Sequence, residues 1–239
     1  MQINLVSCIF ILDSEKNENI RKNDIKKLKV LVNNNNELPI ISVGGNEIKK
    51  QVRNSISSII GSNIFHLEQV YTMDYKNDID IIYLGVTNID NISELNGNYK
   101  LVDFKIKDNS LIVLDNKEYE YKTIELEDNN NIEYIHDIKI KDEQVKRTLM
   151  NLLISYKRIR NSIDSTDIIF KFMGPSFTLE DVRIVYELIK ECSVDKSNFR
   201  KKIIKYCEKV DIFKNEKNGY RPSQRYRFKP LKGDVWLWF

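Results

Sequence analysis

Short runs of apolar residues separated by polar connections dominate the first half of the chain. Runs that are rich in Ile, Val, Leu and Tyr and bounded by turn-forming residues are typical of β-strands with at least one buried face. The pattern predicts seven strands, at Leu5–Asp13, Leu28–Val32, Leu38–Val43, Phe65–Tyr75, Asp80–Thr87, Lys100–Lys105 and Ser110–Leu114. The stretch between the last of these strands and Asp142 is rich in Asn, Asp and Glu, and we expect it to include an exposed loop.

Two further segments have apolar residues three or four positions apart, which is the spacing of one face of an amphipathic helix. The first is Asn46–Ile60, and Gly61 is a natural end for it because glycine readily adopts the left-handed conformation that closes helices. The second runs from about Asp142 to Arg160, with an apolar stripe formed by Val145, Leu149, Leu152, Leu153 and Tyr156. Strands and helices in this order predict an α/β domain built on a mixed sheet.

The sequence Met173-Gly174-Pro175-Ser176 interrupts this pattern and predicts a boundary between a first domain, 1–172, and a second domain, 173–239. The charge changes sign near the same point. From Lys171 to the carboxyl end there are 16 Lys and Arg against 9 Asp and Glu, whereas residues 1–170 contain 22 against 26. An acidic part followed by a basic part is the electrostatic footprint expected of a nucleic-acid-binding protein.

The second domain has the pattern of two helices followed by a basic hairpin. Thr178 can cap the first helix, and Asp195 can cap the second, Lys196–Glu208. The inward positions of the second helix are Phe199, Ile203 and Tyr206 or Cys207. Two predicted strands, Asp211–Lys214 and Gln224–Lys229, flank the loop 215–223. These elements predict an α+β winged-helix domain.

Polar and cationic residues are concentrated on the outside of the second helix and on the hairpin. We expect double-stranded DNA to contact Lys196, Ser197, Asn198, Arg200, Lys201, Arg221, Arg225 and Arg227. Asn198 and Arg200 are placed to reach base edges in the major groove, and the three wing arginines suit phosphates or the minor groove. The alternative is a winged helix that makes protein contacts and whose cations are merely solvated.

Other classes of site and protein are disfavoured by the composition. The longest apolar run, Leu5–Leu12, is far shorter than the ~20 residues that span a bilayer, so we expect a cytoplasmic protein with no membrane partner. The three cysteines have no CxxC spacing and the two histidines are far apart, so neither a disulfide framework nor a zinc site is expected. We expect no metal and no cofactor.

The second domain resembles that of the Nudix-related transcriptional regulators, whose best-known members repress NAD-metabolism genes in bacteria. The resemblance is carried by Phe177–Val182 (FTLEDV), Val185–Glu187 (VYE), Asp195–Lys202 (DKSNFRKK) and Tyr220–Phe228 (YRPSQRYRF). The family's Gly-Arg-Pro at the start of the wing strand is here Tyr220-Arg221-Pro222, so its glycine is replaced or displaced to Gly219. In the first domain, Leu38-Pro39, Gly44-Gly45 and Leu67–Thr72 (LEQVYT) are similar to parts of a Nudix domain.

The resemblance implies a Nudix-like α/β/α sandwich with a mixed sheet, joined to a winged helix. It also implies a homodimer that binds a near-palindromic operator and senses a nucleotide-like effector such as ADP-ribose. For the dimer contact we expect either the apolar helix at 149–163 or an edge of the Nudix sheet.

Nudix hydrolases bind Mg²⁺ through a helix with an Arg-Glu-x-x-Glu-Glu run, because hard divalent cations prefer oxygen ligands. The corresponding residues here are Asn54–Gly61, and no acidic residue occurs between Glu47 and Glu68. We therefore expect no hydrolase activity. The alternative is a weak hydrolase that recruits Glu68, Asp74 or Asp78 from neighbouring strands.

Overall fold

A computed structural model describes residues 2–15, 24–128, 131–214 and 223–229 of the chain. Within these ranges the chain forms eleven β-strands, five α-helices and two 3₁₀ turns, Ile89–Asn91 and Ile204–Tyr206. The strands are β1 (Ile3–Glu15), β2 (Ile25–Asn33), β3 (Ile40–Ser42), β4 (His66–Tyr75), β5 (Asp78–Asn88), β6 (Tyr99–Lys107), β7 (Leu111–Leu114), β8 (Lys117–Asp128), β9 (Asn131–Ile138), β10 (Cys207–Lys214) and β11 (Ser223–Phe228). The helices are α1 (Ile48–Ile60), α2 (Glu143–Ser162), α3 (Ile168–Lys171), α4 (Leu179–Lys190) and α5 (Lys196–Ile203).

The first nine strands form one sheet in the order β4-β5-β1-β2-β6-β7-β8-β9, and β3 pairs with the start of β1. Strands β1 and β5 are parallel, whereas β2 and β4 pair antiparallel to them. The sheet is therefore mixed, as predicted. Strands β10 and β11 form a separate antiparallel hairpin.

Strand β1 lies at the centre of the sheet and is buried on both faces. Alternate side chains point to opposite faces of a strand, so a nearly continuous apolar run needs cover on both sides. One face packs against α1, in a cluster that contains Leu5, Ile9, Ile11, Val52, Ile56 and Ile60. The other face packs against α2, in a cluster that contains Val6, Cys8, Phe10, Leu149, Leu152 and Leu153. The result is the predicted α/β/α sandwich.

Helix α1 ends at Gly61, which has the left-handed φ of +64° that the sequence indicated. A Cβ atom at this position would lie 2.9 Å from the backbone nitrogen of Glu94, so a larger residue would require the backbone to shift. Gly61 thus allows both the end of α1 and the close approach of the chain that follows the Ile89–Asn91 turn.

A buried ion pair joins α2 to β5. Arg147 Nε donates to Asp80 Oδ2 at 2.7 Å and its Nη2 donates to Oδ1 at 2.5 Å. Asp80 is fully buried, and it also accepts a hydrogen bond from Asn4 on β1. The Arg147 guanidinium stacks over the ring of Tyr75 at 4.1 Å. Burial removes both charged groups from water, and the hydrogen bonds and the aromatic contact compensate for the lost hydration.

The winged-helix elements share the core that α2 forms with the sheet. One continuous apolar cluster runs from β1 through α2 and α3 to α4, α5 and β11. At the centre of this junction, the Tyr156 hydroxyl of α2 donates to the carbonyl oxygen of Ile189 in α4 at 2.8 Å. Asp164 accepts hydrogen bonds from both Tyr186 and Lys190 on α4. The second group of elements is thus packed tightly against the first.

Three sequence expectations need correction. The stretch between Leu114 and Asp142, in which we predicted no strand, contains β8 and β9, which pair from Tyr121↔Ile138 to Asp128↔Asn131. Its charged composition masked an alternation of charged with aromatic and β-branched residues (KEYEYKTIEL), which suits a strand. Helix α3 was not predicted. The helix that we expected to reach Glu208 ends at Ile203. The 3₁₀ turn Ile204–Tyr206 follows it, and Cys207 already pairs with Phe228 in the hairpin.

The apolar face of α2 is not available for the dimer contact suggested above. Its side chains are buried within the chain, among them Leu149, Leu152, Leu153, Tyr156, Ile159 and Ile163. An edge of the sheet stays the predicted dimer contact. Within the described ranges, every helix is too short or too polar to cross a membrane.

We expect the variant Asp80→Ala to lower the free energy of unfolding by about 3–5 kcal/mol, because it leaves the Arg147 guanidinium largely buried without its carboxylate. Urea denaturation followed by circular dichroism measures this change. The matched control is Glu118→Ala, which breaks the exposed pair between Glu118 and Lys107 and should change the stability by less than about 1 kcal/mol. Equal losses of unfolding free energy in Asp80→Ala and Glu118→Ala would contradict a stabilising role for the buried pair between Asp80 and Arg147.

Candidate nucleic-acid interface

Helix α4 begins with a capping box. The Thr178 hydroxyl accepts a hydrogen bond from the backbone nitrogen of Asp181 at 3.1 Å, and the Asp181 carboxylate accepts one from the backbone nitrogen of Thr178 at 3.0 Å. These two bonds satisfy amides that the first helical turn leaves open. Lys26 of β2 reaches the same carboxylate at 3.6 Å, so the start of α4 is also attached to the sheet.

Ion pairs on α4 shape the turn that leads to α5. Arg183 lies between Glu180 and Glu187, and the hydrogen bond to Glu180 raises the pKa of the guanidinium further above its already high value. Glu187 also accepts a hydrogen bond from the backbone nitrogen of Val194 in the turn, at 2.9 Å. Cys192 is exposed in this turn. The turn is therefore held by α4 side chains and not only by its own backbone.

Helix α5 is capped and oriented as the sequence predicts. The Asp195 carboxylate accepts a hydrogen bond from the backbone nitrogen of Asn198 at 2.8 Å. Phe199 and Ile203 are buried, and the Phe199 ring lies 5.3 Å from that of Tyr186 on α4. Because these apolar residues fix one face of α5 against the core, the opposite face points to solvent.

All five residues that we predicted on this helix are exposed and lie together on α5. They are Lys196, Ser197, Asn198, Arg200 and Lys201. Lys196 forms an ion pair with Glu180 at 3.4 Å, although its side chain is 73% exposed. Ser197 and Arg200 or Lys201 are one turn apart, so they lie side by side on the helix surface. The exposed face carries a net positive charge.

The hairpin β10–β11 forms the wing beside α5. Tyr226 is buried, and it exchanges backbone hydrogen bonds with Phe177 at 2.9 and 2.7 Å, which attaches β11 to the segment before α4. Arg227 is exposed and pairs with Glu208 on the neighbouring strand. Arg221 lies outside the described residues.

Arg225 has a different environment from that of the other predicted residues. It is half-buried, and its Nε donates to the Ser176 hydroxyl at 2.8 Å while Nη2 donates to the Ser176 carbonyl oxygen. The Arg225 guanidinium is thus held against the segment before α4.

The sequence reasoning missed three features of this surface. It did not assign Ser176 to Arg225, because the two residues are 49 positions apart. It also left out of the predicted set the exposed Lys205 and Lys209, which follow α5. The available signal was the charge of these lysines, since Lys205 lies within the predicted helix Lys196–Glu208 and Lys209 directly follows it.

The carboxylates that an alternative hydrolase would need are spread along the strands of the first domain. Glu68 on β4 faces His66 and Arg158, and the hydrogen bond from His66 lowers the pKa of its carboxyl group. Asp78 on β5 accepts a hydrogen bond from the backbone nitrogen of Gln2. In the described part of the chain, no group of three or more His, Cys, Asp or Glu side chains could hold a metal ion. Helix α1 contains no acidic residue.

Comparisons with known proteins agree with this architecture. The sequence model of the family described as the NrtR DNA-binding winged helix domain matches residues 169–228. No curated protein matches the chain.

Solved structures resemble the chain over nearly its whole length. A crystal structure of Shewanella oneidensis NrtR has a TM-score of 0.67 and 11% identity, with 99% of this chain and 98% of that chain covered. S. oneidensis NrtR complexed with a 27mer DNA has a TM-score of 0.64 and 12% identity, with coverages of 95% and 93%. A MutT/nudix family protein from Enterococcus faecalis has a TM-score of 0.64 and 17% identity, with coverages of 96% and 88%.

At these identities the structural likeness establishes the fold alone. Residues 169–228 therefore form a winged-helix domain that matches the family model of the NrtR DNA-binding winged helix domain, and the chain as a whole has the fold of these solved structures.

Proposed function

We propose that this protein is a dimeric bacterial transcriptional regulator, most simply a repressor, that binds a near-palindromic DNA site through its winged helix. The observation that carries the proposal is the exposed cationic face of α5, in a domain that matches the NrtR DNA-binding family. A similar protein, S. oneidensis NrtR, has been crystallised with DNA, which supports the same role here.

In this proposal α5 is the recognition helix. Its buried side, Phe199 and Ile203, faces the protein, so its exposed side can enter a major groove. Arg200 presents a planar fork of donors that matches guanine, and Asn198 can pair with adenine. Lys196, Ser197 and Lys201 are placed for phosphate contacts at the edges of the groove.

The wing supplies contacts that do not depend on sequence. Arg227 is exposed, and among the described residues it forms one ion pair, with Glu208. Exposed ion pairs contribute little free energy, so replacing Glu208 by a phosphate costs little. A phosphate contact by Arg225 stays a prediction, because in this structure its guanidinium is bound to Ser176. Arg221 also stays a predicted DNA contact.

We propose that the first domain does not hydrolyse nucleotides. A Nudix catalytic helix concentrates carboxylates around Mg²⁺, whereas α1 has none in its sequence. Ser57 and Ser58 lie on α1 in their place, and their hydroxyls form hydrogen bonds within the protein, to Asn63 and to the backbone of Ser55. Neutral hydroxyls cannot supply the charge that a divalent cation requires.

The fold of the first domain supports a sensory role instead. We propose that it binds a nucleotide-like metabolite, ADP-ribose or a related compound, without turnover, and that binding changes the affinity for DNA. The close packing of α2 against α4 supports this coupling, because a shift in one domain must be transmitted or resisted at that contact. A regulator of a bacterial chromosome would act in the cytoplasm.

We expect Arg200→Ala to weaken binding to a site selected from random DNA by about 1–3 kcal/mol, and to relax the preference at one base pair of each half-site. Fluorescence anisotropy with base-pair variants measures both effects. The control is Arg158→Ala, which removes an exposed arginine from α2 and should leave DNA affinity unchanged.

Arg227→Ala provides the contrasting variant in the same experiment. It should weaken binding to all sequences alike and reduce the slope of log affinity against log salt by about one unit, because each phosphate contact releases roughly one counterion. Unchanged affinity and unchanged slope in both Arg200→Ala and Arg227→Ala would support the protein-contact alternative.

The protein should sediment as a dimer at micromolar concentration and bind its operator as one dimer. A single recognition helix reads only a few base pairs, so two-fold pairing is needed for a specific site. Sedimentation velocity, with and without DNA, measures the mass of the species. A monomer under both conditions contradicts the proposal.

Purified protein mixed with ADP-ribose and Mg²⁺ should release no AMP, because α1 lacks the acidic ligands of a Nudix active site. Liquid chromatography detects the product, and an active MutT-type hydrolase in a parallel reaction shows that the assay works. Release of AMP at a rate that rises with Mg²⁺ would instead support the alternative hydrolase that uses Glu68, Asp74 or Asp78.

A further inference from the structure

A cavity of about 410 Å³ lies where the first domain meets the winged helix. Its walls come from the β1–β2 hairpin, the end of β5 and the turn after it, the connection 173–177, the first turn of α4, and β11. Its volume lies within the range of small-molecule sites. Because both domains contribute walls, an occupant would contact both at once.

Arg225 lines this cavity and is already oriented. Its two hydrogen bonds to Ser176 use two of the five N–H groups of the guanidinium, and three remain for another partner. Among the residues that the structure describes, no carboxylate lies within ion-pair distance of Arg225. The next arginine along the strand, Arg227, does have one, Glu208. Arg225 is thus a half-buried cation that is held in place but not neutralised.

A second cation in the lining of the cavity is Lys26, on strand β2. The Lys26 side chain is 13% exposed; its Nζ lies 3.1 Å from the Ser14 hydroxyl and 3.6 Å from an Asp181 oxygen. The other Asp181 oxygen belongs to the capping box of α4. The Asp181 carboxylate therefore contacts both Lys26 and the cap of α4, and its distance of 3.6 Å from Lys26 is long for an ion pair.

The remaining lining suits a sugar. The exposed Asp90 carboxylate and the Ser14 hydroxyl can accept hydrogen bonds from hydroxyl groups. Leu12, Met173 and Phe177 are buried and give the cavity an apolar side, against which a sugar ring can pack. The Asp24 carboxylate also lines the cavity and is a further acceptor. Two cations together with these acceptors match a small molecule that carries both an anion and several hydroxyls.

We propose that this cavity binds a phosphorylated sugar, with the phosphate on Arg225 and Lys26 and the hydroxyls toward Asp90. Arginine recognises phosphate with paired, charge-assisted hydrogen bonds, and a phosphate monoester carries about −1.5 to −2 charges that two cations neutralise. This ligand joins β2 and the turn after β5 to β11. Its consequence for regulation rests on the proposed function: the ligand changes the affinity of the winged helix for DNA, and DNA changes the affinity for the ligand by the same factor.

Isothermal titration calorimetry on the full chain without DNA tests the site, with ribose 5-phosphate, inorganic phosphate and ribose as probes. We expect ribose 5-phosphate to bind most tightly, phosphate more weakly, and ribose not at all. Arg225→Ala should weaken ribose 5-phosphate binding by about tenfold to a hundredfold, the usual effect of losing hydrogen bonds to a charged group. Arg158→Ala removes an exposed arginine from α2, outside the lining of the cavity, and should bind like the unaltered protein.

Lys26→Met removes the cation that the first domain contributes to the cavity. It tests whether the cavity binds a phosphorylated sugar even if Arg225→Ala does not fold. It should also weaken binding of ribose 5-phosphate, by a smaller factor. Absence of binding by any phosphorylated probe at millimolar concentration, or equal losses of affinity in Arg225→Ala and Arg158→Ala, would overturn the proposal. Since these titrations contain no DNA, their failure is distinct from a failure of DNA binding, which the anisotropy experiment measures separately.

Discussion

The apolar core that the two domains share is the constraint on which the rest of the structure depends. Helix α2 covers one face of the central strand β1 and then continues as a support for α4, through the contact between Tyr156 and Ile189. The winged helix is therefore not a separate body on a linker. Helix α5 has a fixed direction relative to the sheet, because Phe199 and Ile203 belong to the same cluster as β1.

The two regions joined by this core differ in chemical character. The first domain has a central sheet buried on both sides and a helix, α1, without acidic residues. The winged helix has its charges on the outside, on α5 and the wing. Among the described residues, the exposed cations Lys196, Arg200 and Lys201 thus lie together on α5.

Elements whose pattern is decided locally could be predicted from the sequence. The central strands, α1 with its end at Gly61, and the caps of α4 and α5 at Thr178 and Asp195 all follow from periodicity and cap chemistry. The hairpin β8–β9 could not be predicted from the sequence, because its charged residues are typical of both loops and exposed strands. The environment of Arg225 could not be either, since its partner Ser176 is distant in sequence and lies close only in the folded chain.

The three cysteines differ so strongly in environment that the chain can be chemically labelled at one chosen point without mutation. Burial raises the pKa of the Cys8 thiol to about 12, and burial does the same for Cys207, so both are poor nucleophiles at neutral pH. Cys192 is exposed, and it lies in the turn between α4 and α5. A thiol-reactive fluorophore would therefore attach beside the recognition helix, where its emission reports on the surroundings of that helix in solution.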